Sequence, residues 1–200
     1  MHISEGVLSW PVLAGGAAIA AAAVGVGLRR LPDERIPVAG LLCALFFVAA
    51  LIHIPVGIAS VHLVLNGLCG VLLGWAAFPV IAAALTLQAL LFGFGGLSTL
   101  GVNILVMGVP ALIAAAAFRA PWPRSAALRG AVCGALAIVC GVLLMALALW
   151  LSGGAAFASL IGMVMLAHLP VIAIEAAMTA AIVGSLQRAR PALLQFRVSA

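Results

Sequence analysis

Nine arginines, gathered into three groups between long apolar stretches, are the feature that most constrains the fold of this chain. Of its 200 residues, 67% are hydrophobic and only 6% are charged, which leaves too little polar surface to coat a soluble domain. We therefore expect an integral membrane protein with one transmembrane domain over residues 1–200. The three groups are Arg29, Arg30 and Arg35; Arg119, Arg124 and Arg129; and Arg188, Arg190 and Arg197.

The basic excess is better explained by membrane topology than by nucleic-acid binding. The formal net charge is +5 and there is no lysine, but the arginines lack the regular interleaving of aromatic residues that would stack bases. Cytoplasmic loops of membrane proteins collect arginine and lysine. All three groups are therefore expected on the cytoplasmic side, with an even number of crossings between each group and the next.

Turn-forming residues divide the apolar stretches into seven runs, in agreement with this rule. One run precedes the first arginine group, four lie between the first and second, and two between the second and third. We predict an all-α polytopic bundle of about seven transmembrane helices, with the amino terminus outside and the carboxyl terminus cytoplasmic. The runs are residues 7–28, 36–52, 61–78, 79–92, 99–118, 130–151 and 158–187.

The run over residues 79–92 is short for a membrane crossing. Its ~14 residues span only ~21 Å at about 1.5 Å per residue, whereas the hydrocarbon layer is ~30 Å thick. We expect a short or tilted helix followed by a buried re-entrant turn at the sequence GFGGLST.

Strongly polar side chains at membrane depth are few, and each costs on the order of 2 to 3 kcal/mol, so each suggests a function. With the predicted topology, three of the four histidines start on the same side of the membrane as the amino terminus. The candidates are His2, Glu5, His53, His62, Asn66, Gln88, Asn103, His168 and Glu175.

The opening Met-His offers a chelate for a metal ion. The Met1 amine and the deprotonated His2 amide close a five-membered ring, and that amide with the His2 Nδ1 closes a six-membered one. An imidazole from His62 would complete a tetragonal nitrogen site, which suits Ni²⁺, Cu²⁺ or low-spin Co²⁺. The alternatives are that a penultimate histidine occurs by chance and that Glu5 is an ordinary carboxylate at a helix start.

Four segments, in order along almost the whole chain, resemble a known family. They are MHISEGVLS, SVHLVLNGLCGVLLG, LQALLFGFGGLSTLGVNILVMGV and HLPVIAIEAAMT. They are similar to the substrate-binding (S) components of cobalt and nickel energy-coupling-factor transporters, the CbiM/NikM family. That resemblance implies seven helices, an external amino terminus, and metal capture by Met1, His2 and His62. It also suggests supporting roles for Ser60, Asn66 and Asn103, whereas His53 is absent from many relatives.

Other polar positions allow more than one interpretation. Many members of the family have His or Asp where this chain has Phe94, so any ligand that this position provides elsewhere is missing here. His53 is an auxiliary ligand or an ordinary interfacial histidine. His168 and Glu175, seven residues apart, are expected to form a buried polar contact that fixes the last helix, with a metal relay or a partner contact as the alternative.

The predicted function is capture of Ni²⁺ or Co²⁺ from outside, as a transported substrate, by a multi-pass protein of the bacterial cytoplasmic (inner) membrane. The chain has no GxxxxGK[ST] loop and is expected neither to bind ATP nor to be an enzyme. The resemblance implies a transmembrane T component and ATP-binding-cassette ATPases as partners, and allows a small accessory membrane subunit. The principal alternative is a membrane enzyme with a histidine-bound metal or haem. An intramembrane serine hydrolase and a vitamin-binding S component are weaker alternatives.

Overall fold

The computed structural model describes residues 2–56, 59–121 and 125–194, and for residues 53–56 and 59–61 it describes the backbone alone. In these ranges the chain forms α-helices around one hydrophobic core, with one short β-hairpin between the second and third helices. The helices are α1 Trp10–Arg29, α2 Ile36–Ala49, α3 Asn66–Leu73, α4 Ala77–Phe92, α5 Leu100–Arg119, α6 Ala126–Gly153, α7 Ala158–Ala167 and α8 Leu169–Ala189. The hairpin strands are β1 His53–Val56 and β2 Ala59–His62.

Local sequence explains several helix boundaries. Proline lies in the first turn of α1, α2 and α8, where its missing N–H costs no helical hydrogen bond. The Ser125 hydroxyl caps α6 by accepting from the Leu128 amide at 3.3 Å. Every predicted apolar run contains a helix, and arginine groups follow α1, α5 and α8 as the sequence pattern indicated.

Four segments of the described chain are long and apolar enough to cross a membrane, by length and composition. The protein is therefore a multi-pass membrane protein. The count of seven crossings and the orientation of the termini stay predictions. The four segments are Trp10–Arg29, Asn66–Phe92, Leu100–Arg119 and Ala126–Ala189.

The structure adds one short hairpin to the predicted all-α bundle. Its strands are antiparallel and pair His53 with His62 and Pro55 with Ser60 across the sequence HIPVGIASVH. Isoleucine and valine favour extended backbone, and Pro55 cannot continue a helix, so this stretch forms strands where only a turn was expected. The predicted run at residues 61–78 consequently begins in β2 and becomes helical only at Asn66.

The last predicted run is not one continuous helix. It is divided at His168 into α7 and α8, with Pro170 in the first turn of α8. Proline lacks the amide that would bond to the preceding turn, so a helix commonly breaks or bends at such a point.

Helix α3 is the inner element of the bundle, and all eight of its residues are buried. Its neighbours include α5 and α6, and a glycine permits the closest approach: a Cβ added to Gly70 would lie 1.8 Å from the Ala111 carbonyl oxygen of α5. A similar contact joins α6 to α8, where a Cβ on Gly134 would lie 2.6 Å from the carbonyl oxygen of Glu175. Small residues therefore bring backbones together inside the bundle, as is common in membrane proteins.

A non-helical segment joins α4 to α5 at the position of the predicted re-entrant turn. Gly93, Gly95 and Gly96 have φ values of 66°, 76° and 126°, a region that favours glycine. These conformations let the segment turn back toward the residues that precede α1.

Candidate metal site

The segment before α1 folds back against the bundle and buries Ile3 in it. Ile3 is 4% exposed, and its backbone is held on both sides by Asn103 of α5. The Ile3 amide donates to Asn103 Oδ1 at 2.9 Å, and Asn103 Nδ2 donates to the Ile3 carbonyl at 3.1 Å. The Thr99 hydroxyl donates to the same carbonyl at 2.9 Å. These bonds fix the backbone immediately after His2.

A second set of contacts attaches this segment to the loop between α4 and α5. The Glu5 amide donates to the Gly95 carbonyl at 3.1 Å, and the Ser98 amide donates to Glu5 Oε1 at 3.1 Å. The Ser98 amide also lowers the pKa of the Glu5 carboxyl, because it stabilises the ionised form. A Cβ on Gly96 would lie only 2.1 Å from Glu5 Cγ, so the loop depends on glycine at this point.

Glu5 does not cap the helix that follows it in sequence. Helix α1 begins at Trp10 and has no acidic residue in its first turn, so the interpretation of Glu5 as a carboxylate at the start of its own helix is wrong. Its partner Ser98 lies two residues before α5 instead.

The folded segment brings His2 against His62. His2 Nδ1 lies 2.9 Å from His62 Nε2, and the ring centroids are 4.6 Å apart with an angle of 32° between the planes. His62 is buried at the end of β2, and its Nδ1 lies 2.8 Å from the carbonyl oxygen of Leu63. Because a carbonyl only accepts, His62 Nδ1 carries the proton and Nε2 presents its lone pair to His2.

Aromatic rings cover the His2 side of this pair. The Phe94 ring centroid lies 5.9 Å from that of His2, and Phe92 lies 5.6 Å from Phe94. Many members of the CbiM/NikM family, which the sequence resembles, have His or Asp at the position of Phe94. In this chain Phe94 places an apolar ring against His2. Phe94 has no donor atom for a metal.

The described side chains contain no group of three or more His, Cys, Asp or Glu residues that could hold a metal ion. The site predicted from the sequence does not require such a group, because two of its four donors are backbone nitrogens. Of its proposed ligands, the structure brings together the imidazoles of His2 and His62. Met1 lies outside the described residues, as do the side chains of Ser60 and His53.

The two asparagines suggested as supporting residues behave differently. Asn103 holds the backbone of Ile3, next to His2 in sequence. Asn66 Nδ2 instead donates to the Met107 carbonyl of α5 at 3.1 Å, while its Oδ1 accepts from the Gly67 amide at 3.0 Å. Asn66 thus joins α3 to α5, and the acceptor for the His62 ring is a backbone carbonyl.

Glu175 and His168 do not form the polar contact expected of them. The His168 Nδ1 donates to the Val164 carbonyl at 2.8 Å, whereas the Glu175 carboxylate accepts from the amides of Val64 and Leu65, the latter at 2.9 Å. Glu175 therefore holds the turn that follows His62. Leu65, with φ of 57°, is the one non-glycine residue with positive φ in the described chain.

Two contributors to the site were recognised in sequence only as polar residues at membrane depth. Gln88 lies with its Oε1 2.9 Å from His2 Nε2, and Glu175 acts on the turn after His62 from 110 residues further along the chain. The sequence signal for Gln88 and Glu175 was the free-energy cost of a polar side chain at membrane depth, and that cost does not identify the partners of these residues.

Comparison with known proteins assigns the family. The family model for CbiM, described as the cobalt uptake substrate-specific transmembrane region, matches residues 2–193. A protein of Haemophilus influenzae named a putative metal transport protein is 42% identical over 199 residues, which cover 97% of each chain. The fused nickel transport protein NikMN of Rhodobacter capsulatus is 37% identical over 134 residues, which cover 64% of this chain and 39% of that protein.

A solved structure agrees with these sequence matches. The crystal structure of a truncated transition metal transporter superposes with a TM-score of 0.83 at 26% identity, and covers 94% of this chain and 99% of the other. The similarity thus extends over nearly the whole fold. The chain belongs to the CbiM family of cobalt uptake transmembrane proteins.

Proposed function

We propose that this protein is the substrate-binding component of an energy-coupling-factor transporter and captures Ni²⁺ or Co²⁺ from outside the cell. The observation that supports this most directly is the approach of His2 Nδ1 to Nε2 of the buried His62, at 2.9 Å. Family membership and the names of the relatives, which are transport proteins, favour a transporter over an enzyme.

The distance between the two ring nitrogens fits neighbouring donors of one metal ion. Two ligands at about 2.0 Å from a metal and at right angles to each other are about 2.8 Å apart. We assign the other two positions of a planar site to the Met1 amine and the deprotonated His2 amide nitrogen. Four nitrogens in this arrangement suit Ni²⁺ and low-spin Co²⁺.

The surrounding residues would prepare this site before the metal arrives. Asn103 and Thr99 hold the Ile3 backbone, and Gly95 holds that of Glu5, so the chelating segment is already folded inward. A preformed arrangement lowers the entropic cost of binding. Metal binding must displace protons from the amine and the amide, so affinity is expected to fall as the pH falls.

The partners and topology follow from the same proposal. Residues 1–200 act as one transmembrane domain with seven crossings in the bacterial inner membrane, and the amino terminus faces outside. A T component and ATP-binding-cassette ATPases supply the energy, and the fused relative NikMN is consistent with association among the membrane parts. Ser60 and His53 remain candidate auxiliary residues near the hairpin.

The alternative of a membrane enzyme with a histidine-bound haem or metal centre is not favoured. Such a centre would use two helical histidines at matched depth. His62 lies at the end of a strand, and His168 bonds its own helix at the break between α7 and α8.

The test is Ni²⁺ and Co²⁺ binding by the purified protein, measured by isothermal titration calorimetry. A variant with two residues added ahead of Met1, His2→Ala and His62→Ala should each lose most of the affinity, because each removes a proposed donor. The matched control adds the same two residues after the carboxyl terminus and should bind like the native chain. Tight binding by the chain extended at its amino terminus would refute the proposal.

A further inference from the structure

Gln88 of α4 is a fully buried side chain that contacts the candidate site on the side away from His62. It is 0% exposed, and its Oε1 lies 2.9 Å from His2 Nε2. A buried amide in a membrane protein is costly unless its donors and acceptor are all satisfied. The direction in which this amide points therefore has consequences for His2.

The end of helix α2 determines that direction. Gln88 Nε2 donates to the carbonyl oxygens of Phe46 and Phe47, at 3.4 Å each. Both carbonyls belong to the last turn of α2, where the Ala50 amide also donates to the Phe46 carbonyl at 3.4 Å, and a carbonyl oxygen can accept a second hydrogen bond. Because these carbonyls can only accept, the NH₂ group must face α2 and the oxygen must face His2.

The orientation of Gln88 in turn selects one tautomer of His2. The amide oxygen accepts, so His2 Nε2 carries the proton and Nδ1 presents a lone pair. On the other ring, the Leu63 carbonyl places the proton on His62 Nδ1 and leaves Nε2 with a lone pair. With both rings neutral, two lone pairs converge across 2.9 Å, an arrangement that is repulsive until a cation lies between them.

We propose that Gln88 is a positioning residue for metal capture, which holds the neutral His2 ring in the tautomer and orientation that offers Nδ1 to the metal. This inference rests on the proposed function and adds a residue that acts through His2. Without the Gln88 oxygen, the His2 ring can place its proton on Nδ1 or rotate away. Loss of a residue that hydrogen-bonds a metal-ligating histidine typically weakens metal affinity by about 10- to 100-fold.

The experiment compares two substitutions of similar size. Gln88→Met fills the same space but removes the acceptor, whereas Gln88→Glu in its protonated form retains an oxygen that can accept from His2 Nε2–H and an O–H that can donate to the α2 carbonyls. We expect Ni²⁺ affinity, measured by calorimetry, to fall about 10- to 100-fold for Gln88→Met and to stay within about threefold of native for Gln88→Glu. Gln187→Met, at an exposed glutamine near the end of α8, is the matched control and should bind like the native protein.

A second readout follows the tautomer itself in metal-free protein. Ring ¹⁵N chemical shifts of His2, assigned by comparison with His2→Ala, should indicate protonated Nε2 in the native chain and in Gln88→Glu. In Gln88→Met they should indicate a mixture of tautomers. A merely structural role for Gln88 would not change these shifts.

The outcomes separate the two proposals. If Gln88→Met keeps the native tautomer and the native affinity, or if Gln88→Glu loses affinity as fully as Gln88→Met, the positioning role is refuted. If the tautomer responds as expected while the native chain binds neither metal, the role of Gln88 as the orienting partner of His2 stands and the proposed metal capture fails.

Discussion

Replacing Glu175 with alanine should destabilise the turn that carries His62, and the structure permits an estimate of the cost. The Glu175 carboxylate is 0% exposed and accepts from two backbone amides, those of Val64 and Leu65. Leu65 has φ of 57°, a conformation that costs a residue with a side chain roughly 1–2 kcal/mol. The turn therefore depends on an acceptor that comes from α8.

The magnitude follows from these contacts. Removing the acceptor leaves two buried backbone amides unpaired, which costs about 1–3 kcal/mol each, or about 2–6 kcal/mol together. Alanine also removes the cost of burying a carboxylate, which offsets part of that loss, so we expect a net destabilisation of about 2–4 kcal/mol. For a chain of this size, each kcal/mol lowers Tm by about 2–4 °C, which gives a decrease of about 4–16 °C.

The assay is thermal unfolding of the detergent-solubilised protein, followed by circular dichroism, with Ni²⁺ affinity measured in parallel. Glu175→Gln keeps an oxygen acceptor and should lose less stability than Glu175→Ala. Glu34→Ala removes an exposed carboxylate of the loop between α1 and α2 and should leave Tm unchanged. If Glu175→Ala unfolds within about 2 °C of the native protein, the estimate and the role of this contact are both wrong.

Three further predictions concern close backbone contacts and one titrating group. Gly70→Ala should lower Tm because its Cβ would lie 1.8 Å from a carbonyl oxygen of α5, whereas Gly40→Ala, with nothing within 4 Å, should not. Gly96→Ala should weaken Ni²⁺ binding by about tenfold or more, because φ of 126° strains alanine by roughly 1–3 kcal/mol and the new Cβ would displace Glu5. An unchanged Ni²⁺ affinity would contradict this prediction. The Glu5 carboxyl, followed by ¹³C NMR, should titrate below the ordinary value of about 4.3, because the Ser98 amide lowers its pKa. The ionised Glu5 carboxylate should contribute fully to docking the amino-terminal segment above the ordinary glutamate pKa. That contribution should be lost as the pH falls through the lowered pKa of Glu5 in the folded protein. A titration midpoint at or above the ordinary value would count against the contact between Glu5 and Ser98.

Much of the helical architecture could be predicted because membrane insertion leaves a strong signal in sequence. Apolar runs between arginine groups coincide with helices, since both features follow from the cost of burying charge in lipid. The hairpin at His53–Val56 and Ala59–His62 was missed, because hydropathy does not distinguish an apolar strand from an apolar helix. The break at His168 was missed for the same reason, although Pro170 marked its position.

The parts of the candidate site that could be predicted are those whose role follows from residues adjacent in sequence. An amine, an amide and an imidazole at the start of a chain suggest a chelate, and His62 was an outward-facing histidine in the predicted topology. The contact between Gln88 and His2 joins residues 86 positions apart, and that between Glu175 and Leu65 joins residues 110 apart. Such pairings depend on how helices pack, and a single sequence records the polar residues without recording which of them meet.

The distance along the chain between His62 and Glu175 also sets an order of events during synthesis. The amides of Val64 and Leu65 leave the ribosome more than 100 residues ahead of the carboxylate that accepts from them. A nascent or truncated chain that ends before α8 would already contain His2 and His62 but would lack the acceptor that shapes the turn between β2 and α3. The turn that carries His62 is therefore completed last, and fragments that end before α8 should lack the metal binding that we propose for the full chain.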